Sequence, residues 1–440
     1  MLLQMKLADI FTDNMVLQRD KKIAVFGEGI GNGKIEFCGK ETEFISENER
    51  FCVYLPPGPA GGPYSMRITL NGETVILQNI LVGDVFLAAG QSNMELTCKD
   101  TVDIEIIPND SIRFFTEGHN CNETLSEIYY NKTLWEICNE HTAQNFSAIG
   151  YCVARILQET VGVPIGIVAC NKGASRVEAW TNPEIVNDNE YQKMLEIKHN
   201  DYNFYRFNQN SWLYINKLLP VVPYTARGVL WYQGESNSQT DEGIYYSKLL
   251  RIMIDNWREL WNDNLPFYQV QLMPLSREKT EYDMAVIRSQ QALAAEKIPN
   301  VYLTTLVNTN EADNIHPTKK SKISKALANA VLFSLYGYDI EYCGPVINRI
   351  EKTKDAVILH FTHAEGLIVV GNELQDVYLY DENGRECAFD YKIEDNCLKL
   401  FGPQVVNCRQ ISFGYRNAPM HNLYNSDGFL ASPFKKTLEK

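Results

Sequence analysis

Long apolar runs are missing from this chain. No stretch approaches the roughly 20 consecutive apolar residues that a membrane-spanning helix requires. The start, Met1-Leu2-Leu3-Gln4-Met5-Lys6, lacks the basic region, apolar core and small-residue cleavage site of a secretory signal. Both absences lead to the expectation of a cytoplasmic location. Excess positive charge is missing as well. Against 55 acidic residues stand 41 basic ones, a net charge of −14, which argues against nucleic acid, an anionic membrane or a long polyanion as partner. A local basic patch can still hold a single carboxylate. The 11 cysteines are odd in number, scattered from Cys38 to Cys408, and include no Cys-x-x-Cys pair. That pattern excludes a disulfide framework and a thiolate zinc site, and leaves most of them as small buried apolar residues.

What is present is globular in composition, with 45% hydrophobic and 22% charged residues, and 440 residues exceed one ordinary core. Residues 1–80 read as short strands, such as Phe51-Cys52-Val53-Tyr54-Leu55, punctuated by Asn32-Gly33, Asn71-Gly72 and a Pro/Gly-rich turn at 57–63. Between 81 and 338 strands alternate with helices. The strands are expected at Val85–Ala89, Val163–Ala169, Gly228–Tyr232, Phe267–Leu272 and Val301–Leu306, and the helices at Phe146–Glu159, Tyr245–Trp261, Met284–Lys297 and Thr318–Tyr336. A polar, aromatic-rich stretch at 182–220 looks like an insertion. Residues 339–440 return to β patterning. The fold class is therefore α/β, a doubly wound parallel sheet flanked by two β-sandwich-like regions.

Chemistry gathers where these strands end. Val85–Ala89 stops at Gly90-Gln91-Ser92-Asn93-Met94-Glu95, a turn that can hold a serine hydroxyl out at the carboxyl edge of a sheet. The nucleophile elbow Gly-x-Ser-x-Gly works in this way, but Met94 replaces its second glycine. The next strands end at Lys172-Gly173-Ala174-Ser175 and Gln233-Gly234-Glu235-Ser236-Asn237, and Asp313-Asn314-Ile315-His316-Pro317 follows Val301–Leu306. In a parallel sheet these turns gather at one edge. Acyl transfer needs a nucleophile, a base, a group to orient the base and donors for the oxyanion. Ser92 is the nucleophile candidate and His316 the base, since imidazole accepts and returns a proton near neutrality. Asp313, three residues earlier, can reach that ring in a tight loop. The backbone N–H groups of Ser92 and Gly173 and the side-chain amide of Gln233 or Asn237 are oxyanion candidates. Each has a structural alternative: a helix cap for His316, a plain turn for Gly173, core positions for Trp180 and Trp231, and an ion pair for Arg288.

These motifs resemble the sialate O-acetylesterase family of SGNH hydrolases. The likeness extends to Asp13-Asn14-Met15-Val16-Leu17-Gln18-Arg19, Ala60-Gly61-Gly62-Pro63-Tyr64, Phe146-Ser147-Ala148, Glu178-Ala179-Trp180 and Asn422-Leu423-Tyr424-Asn425, so it covers nearly the whole chain. The resemblance implies a flavodoxin-like, three-layer SGNH core at 81–338 between β domains at 1–80 and 339–440. It implies a serine esterase that removes acetyl groups from sugar hydroxyls, typically those of sialic acid, without metal or organic cofactor. It makes Ser92 the nucleophile, His316 the base, Gly173 the second-block glycine and Gln233 the third-block amide, with Asn237 its rival. Where members often carry Asp directly before Ile-His-Pro, this chain has Asn314, and Asp313 instead fits the broader Asp-x-x-His pattern. Lys172 or Arg176 would pair with a sialic acid carboxylate, and Glu235 and Trp180 are further substrate-binding candidates. A neutral acetylated polysaccharide such as xylan is the alternative substrate, and a sugar-binding protein on an esterase scaffold the alternative function.

Overall fold

The computed structural model describes residues 4–121, 128–195, 206–209, 211–239, 241–276, 283–305 and 311–438. The chain groups into two units, one of Met1–Lys193, Asp201–Gln233 and Ile252–Phe267, the other of Met194–Asn200, Gly234–Arg251 and Tyr268–Lys440.

One long strand organises the first unit. Gly61–Leu70 (β1) turns back into Glu73–Gly90 (β2), and the two pair antiparallel, with Ile68 opposite Val75. The far half of β2 changes partners. It runs parallel to Ile165–Asn171 (β4) on one side and to Gly228–Tyr232 (β5) on the other, while Asn109–Thr116 (β3) lies parallel to β4 on its outer edge. From Ile80 onward every residue of β2 is buried, as expected of a central strand covered on both faces. The expected boundary at 80/81 therefore falls inside a continuous strand, and the antiparallel and parallel regions share it. In the N-terminal region alternation is well kept: Arg50–Leu55 buries Phe51, Val53 and Leu55 and exposes the residues between.

The segment 13–19 is fixed to β2 by its polar residues. Gln18 donates from Nε2 to the buried Asp84 carboxylate (2.9 Å) and accepts the Val85 N–H at Oε1 (2.8 Å). Arg19 completes the arrangement with an Asp84 ion pair at 2.9 Å. The helix Ala148–Val161 (α1) starts on Ser147, whose side chain caps the Gly150 N–H and whose Oγ donates to Met94 O at 2.7 Å. This bond ties α1 to the turn that follows β2.

In the second unit, which resumes at Tyr268 within the strand Phe267–Val270, helices Met284–Lys297 and Ser321–Tyr336 flank the strand Val301–Thr304 in sequence. The expected Leu306 end lies outside the described residues, as do 196–205 and 210 of the expected insertion. The C-terminal region holds a four-stranded antiparallel sheet built around Ala356–Thr362 and Cys397–Phe401 and a three-stranded one built around Cys408–Phe413. Leu359, Leu398, Leu400, Leu379, Ile411 and Phe413 from the two sheets bury one another in a single cluster. Arg288 is fully buried here, and its guanidinium bonds the carbonyls of Met273 (3.1 Å), Asn417 (3.0 Å) and Arg416. It cross-links backbone instead of forming the expected ion pair. Among the described residues no helix is long and apolar enough to cross a membrane, and the described cysteines are free thiols.

His421 is buried against Phe413 and donates from Nε2 to Ala431 O at 2.6 Å. Burial pushes its imidazole from the ordinary 6.5 down to about 4, although the carbonyl partner opposes the shift. The unfolded chain takes up this proton near 6.5 and the folded chain only near 4. Stability is thus complete above the upper value and falls as pH drops toward the lower one, by roughly 3 kcal/mol in all. Denaturant midpoints measured through that window should fall with acid, and His421→Gln, which cannot take up the proton, should flatten the fall.

Candidate active site

The candidate residues divide between the two units. In the first, β2 ends at Gly90 with φ +135°, where a Cβ would lie 2.1 Å from the backbone oxygen of Tyr232 at the end of β5. Only glycine lets the two strand ends approach, and the Gln91 N–H then donates to that same oxygen at 2.9 Å. Gln91 caps a single helical turn, Ser92–Glu95, whose Met94 and Glu95 N–H groups both bond back to Gln91 O. Ser92 is the first residue of this turn and is half-buried. Met94, standing where an ordinary elbow has glycine, is fully buried, and its carbonyl takes the Ser147 hydroxyl.

The second turn folds over the first. The Lys172 N–H and the Ser175 hydroxyl both donate to Gly90 O, at 3.0 and 3.2 Å. Gly173 comes to rest on the serine: a Cβ added there would sit 3.5 Å from Ser92 Cβ. Its N–H donates to Glu95 Oε2 at 2.6 Å. Gln233, at the end of β5, is fully buried and donates from Nε2 to Ser175 O (3.0 Å) and Gln91 Oε1 (3.2 Å). An amide nitrogen has two hydrogens, so Gln233 links all three strand-end turns with both of them. An oxyanion would have to displace one of those partners.

In the second unit, Glu235–Gln239 forms one 3-10 turn after Gly234, in which the Asn237 N–H bonds Gly234 O at 3.0 Å. Glu235 and Asn237 are both buried. The loop carrying Asp313 and His316 is shaped by its neighbours. Asn314 accepts the His316 N–H at Oδ1 (3.0 Å) and donates from Nδ2 to His316 O (2.7 Å), gripping the histidine backbone at both ends. Glu311 receives the Thr318 hydroxyl (2.6 Å) and N–H (2.8 Å). The following helix starts at Ser321, not at Thr318 where the sequence pattern puts it. Asp313 and His316 are exposed.

Residues 82–332, more than half of the chain, match the sequence profile of the carbohydrate esterase family of sialic acid-specific acetylesterases. The chain belongs to this family. It is similar to human sialate O-acetylesterase, with 24% identity over 408 residues covering 83% of this chain and 77% of that protein. The rat sialate O-acetylesterase is 26% identical over 432 residues, covering 82% and 79%. A solved carbohydrate acetylesterase from Xanthomonas citri superposes with a TM-score of 0.85 at 27% identity, over 98% of this chain and 99% of its own. The protein is accordingly a carboxylic ester hydrolase, with a mixed sheet containing parallel strands and β-rich regions.

Two candidates take other positions than a sugar contact requires in this esterase. Trp180 is fully buried, its indole N–H donates to Ser175 Oγ at 3.1 Å, and its carbonyl receives the Trp257 indole at 2.9 Å. It offers no face to a sugar and instead supports the second turn from below, and Trp231 packs edge-on against Trp257 in the same core. Arg176 is buried with its Nε 2.7 Å from Glu178, so its charge is matched inside the fold and not presented to a substrate carboxylate. Lys172 remains half-exposed, its ammonium 5.2 Å above the Phe207 ring. Sequence reading missed Asn208, which braces the second turn by accepting the Arg176 N–H and donating to Ala174 O, both at 2.9 Å. Nothing in its local sequence marks it. It also missed Glu95, although a carboxylate three residues after the serine, on the same side of one helical turn, is a signal that spacing could have given.

Proposed function

We propose that the protein is a serine esterase that removes O-acetyl groups from sugar hydroxyls, with O-acetylated sialic acid as its substrate. The observation that supports this most is the packing of Gly173 against Ser92 at the end of β2, in a chain of the acetylesterase family. In this reading His316 takes the Ser92 proton, and Ser92 Oγ attacks the acetyl carbonyl. The oxyanion is received by the backbone N–H groups of Ser92 and Gly173 and by the side-chain amide of Gln233 or Asn237. The carbon–oxygen bond to the sugar breaks, and the sugar oxygen leaves with the proton from His316. Water, deprotonated by His316, then releases acetate and restores Ser92. Asp313 orients the ring from one side, while Asn314 fixes the loop from which it projects. The same reading takes residues 81–338 as a flavodoxin-like, three-layer core between β-sandwich-like regions.

Lys172 is the cation this reading assigns to the sialic acid carboxylate. Lys172→Ala should raise KM for acetylated sialic acid by about ten-fold, the worth of one charged hydrogen bond, and leave a neutral aryl acetate unchanged. Equal loss on both substrates would remove Lys172 from the assignment. The internal pairing of Arg176 with Glu178 favours a second reading, a neutral acetylated glycan, because it commits one of the two candidate cations inside the fold and leaves the assignment to Lys172. Acetate release from acetylated sialic acid and from acetylated xylan, measured side by side, separates the two. Faster release from sialic acid supports the first reading and faster release from xylan the second.

A further inference from the structure

The carboxylate of Glu95 stands where the proposed reaction develops its negative charge. Its Oε2 is 2.6 Å from the Gly173 nitrogen, a short charge-assisted hydrogen bond on a donor that the proposed reaction assigns to the oxyanion. The same oxygen lies 2.8 Å from the position of a Gly173 Cβ, which itself would be 3.5 Å from Ser92 Cβ. A negatively charged oxygen thus occupies the Gly173 donor beside the serine. The side chain reaches this place because Ser92 and Glu95 open and close the same helical turn, and Gly173 presents no side chain to keep it out.

We propose that Glu95 is a resident occupant of the oxyanion site and a specificity-determining residue: its carboxylate holds the Gly173 N–H in the free enzyme, and an acetyl ester must displace it before the tetrahedral intermediate can form. The inference rests on the esterase reading above and adds a selection rule to it. A bond from N–H to a carboxylate is about twice as strong as one to a neutral oxygen, so displacing it carries a cost. A sugar hydroxyl beside the ester donates to the displaced carboxylate and offsets part of that cost. A small aryl acetate has no hydroxyl to give and meets the full barrier. Glu95 also repels any anion that approaches the donor, including the acetate product, which favours its departure.

The test compares the whole protein with Glu95→Gln and Glu95→Ala. Three rates are read: aryl acetate hydrolysis, acetyl-sugar hydrolysis, and covalent labelling of Ser92 by an aryl phosphonate. Both variants should hydrolyse the aryl acetate and react with the phosphonate about ten-fold faster, and added acetate should inhibit them more strongly, as expected when a charged competitor for one N–H is removed. The acetyl-sugar rate should change less, so the preference for sugar over aryl ester narrows. Slower labelling and slower hydrolysis of both esters in folded Glu95→Gln, judged by an unchanged melting temperature, would overturn the proposal and make Glu95 a support for the Gly173 turn. Unchanged rates would overturn it as well. Failure of the underlying reading looks different: the unmodified protein would then neither release acetate nor label on Ser92.

Discussion

Ser92→Ala is expected to lower acetate release by roughly a million-fold, to the level left by binding and oxyanion donors alone. The expectation follows from the turn geometry. The residue at position 92 is the first of a helical turn pinned at Gln91, whose carbonyl takes the Met94 and Glu95 N–H groups, so the backbone bonds of the turn do not depend on the serine hydroxyl. The melting temperature should stay within a degree or two of the parent, since a half-buried Ser→Ala change at an element end is nearly neutral. His316→Ala should cost nearly as much, and the double variant little more than either, because the two act as one unit. Steady-state kinetics on an acetylated sugar check this directly, and additive losses in the double variant would argue that the two residues act independently.

The largest effect on stability is expected at Gly90. Gly90→Ala places a methyl group 2.1 Å from the Tyr232 backbone oxygen at a φ of +135°. Backbone in a central sheet cannot swing aside as a side-chain tip can. The clash and the strained dihedral together cost about 4 kcal/mol or more, and any relief comes from parting β2 from β5, which also breaks the Gln91 bond. Gly162→Ala is the matched control. Gly162 ends α1 in the left-handed region with φ +73°, but a Cβ there meets nothing within 4 Å. That change should cost only about 1 kcal/mol, the dihedral term alone. Chemical denaturation of the two variants checks both values, and similar losses at the two sites would show that the close approach of the strands carries no weight.

Local pattern made much of this fold legible. Apolar strands that end in Gly-Gln-Ser and Lys-Gly-Ala, and helices with an apolar stripe, are short-range features, and the helices at 148–161, 246–261 and 284–297 lie within two residues of their expected limits. The shared strand was not legible. Val85–Ala89 reads as a short buried run, and nothing in it reveals that the same strand begins at Glu73 with different partners. Pairing is a long-range property, and a strand that changes neighbours half-way keeps no single period. The polar network around the site was hidden for the same reason. Gln233 and Asn237 are the same kind of donor four residues apart, and only the position of Ser175 O and Gln91 Oε1 shows what Gln233 holds. Arg176 and Glu178 are separated by one residue in sequence, a spacing that puts two side chains on one face only where the backbone is extended, and nothing in the run 172–180 marks it as extended, yet they form a buried pair. Composition and motif identify the chemistry class; the assignment of each polar group depends on what it already holds.

The account turns on a covalent acetyl group at Ser92. The most direct measurement is peptide mass spectrometry of the enzyme quenched in acid during turnover of an activated acetate ester. The account predicts one acetyl group, on the peptide that contains Ser92, absent from Ser92→Ala and lost on standing in water at neutral pH. Acetate release without any acetylated enzyme, or an acetyl group carried by another residue, would contradict it.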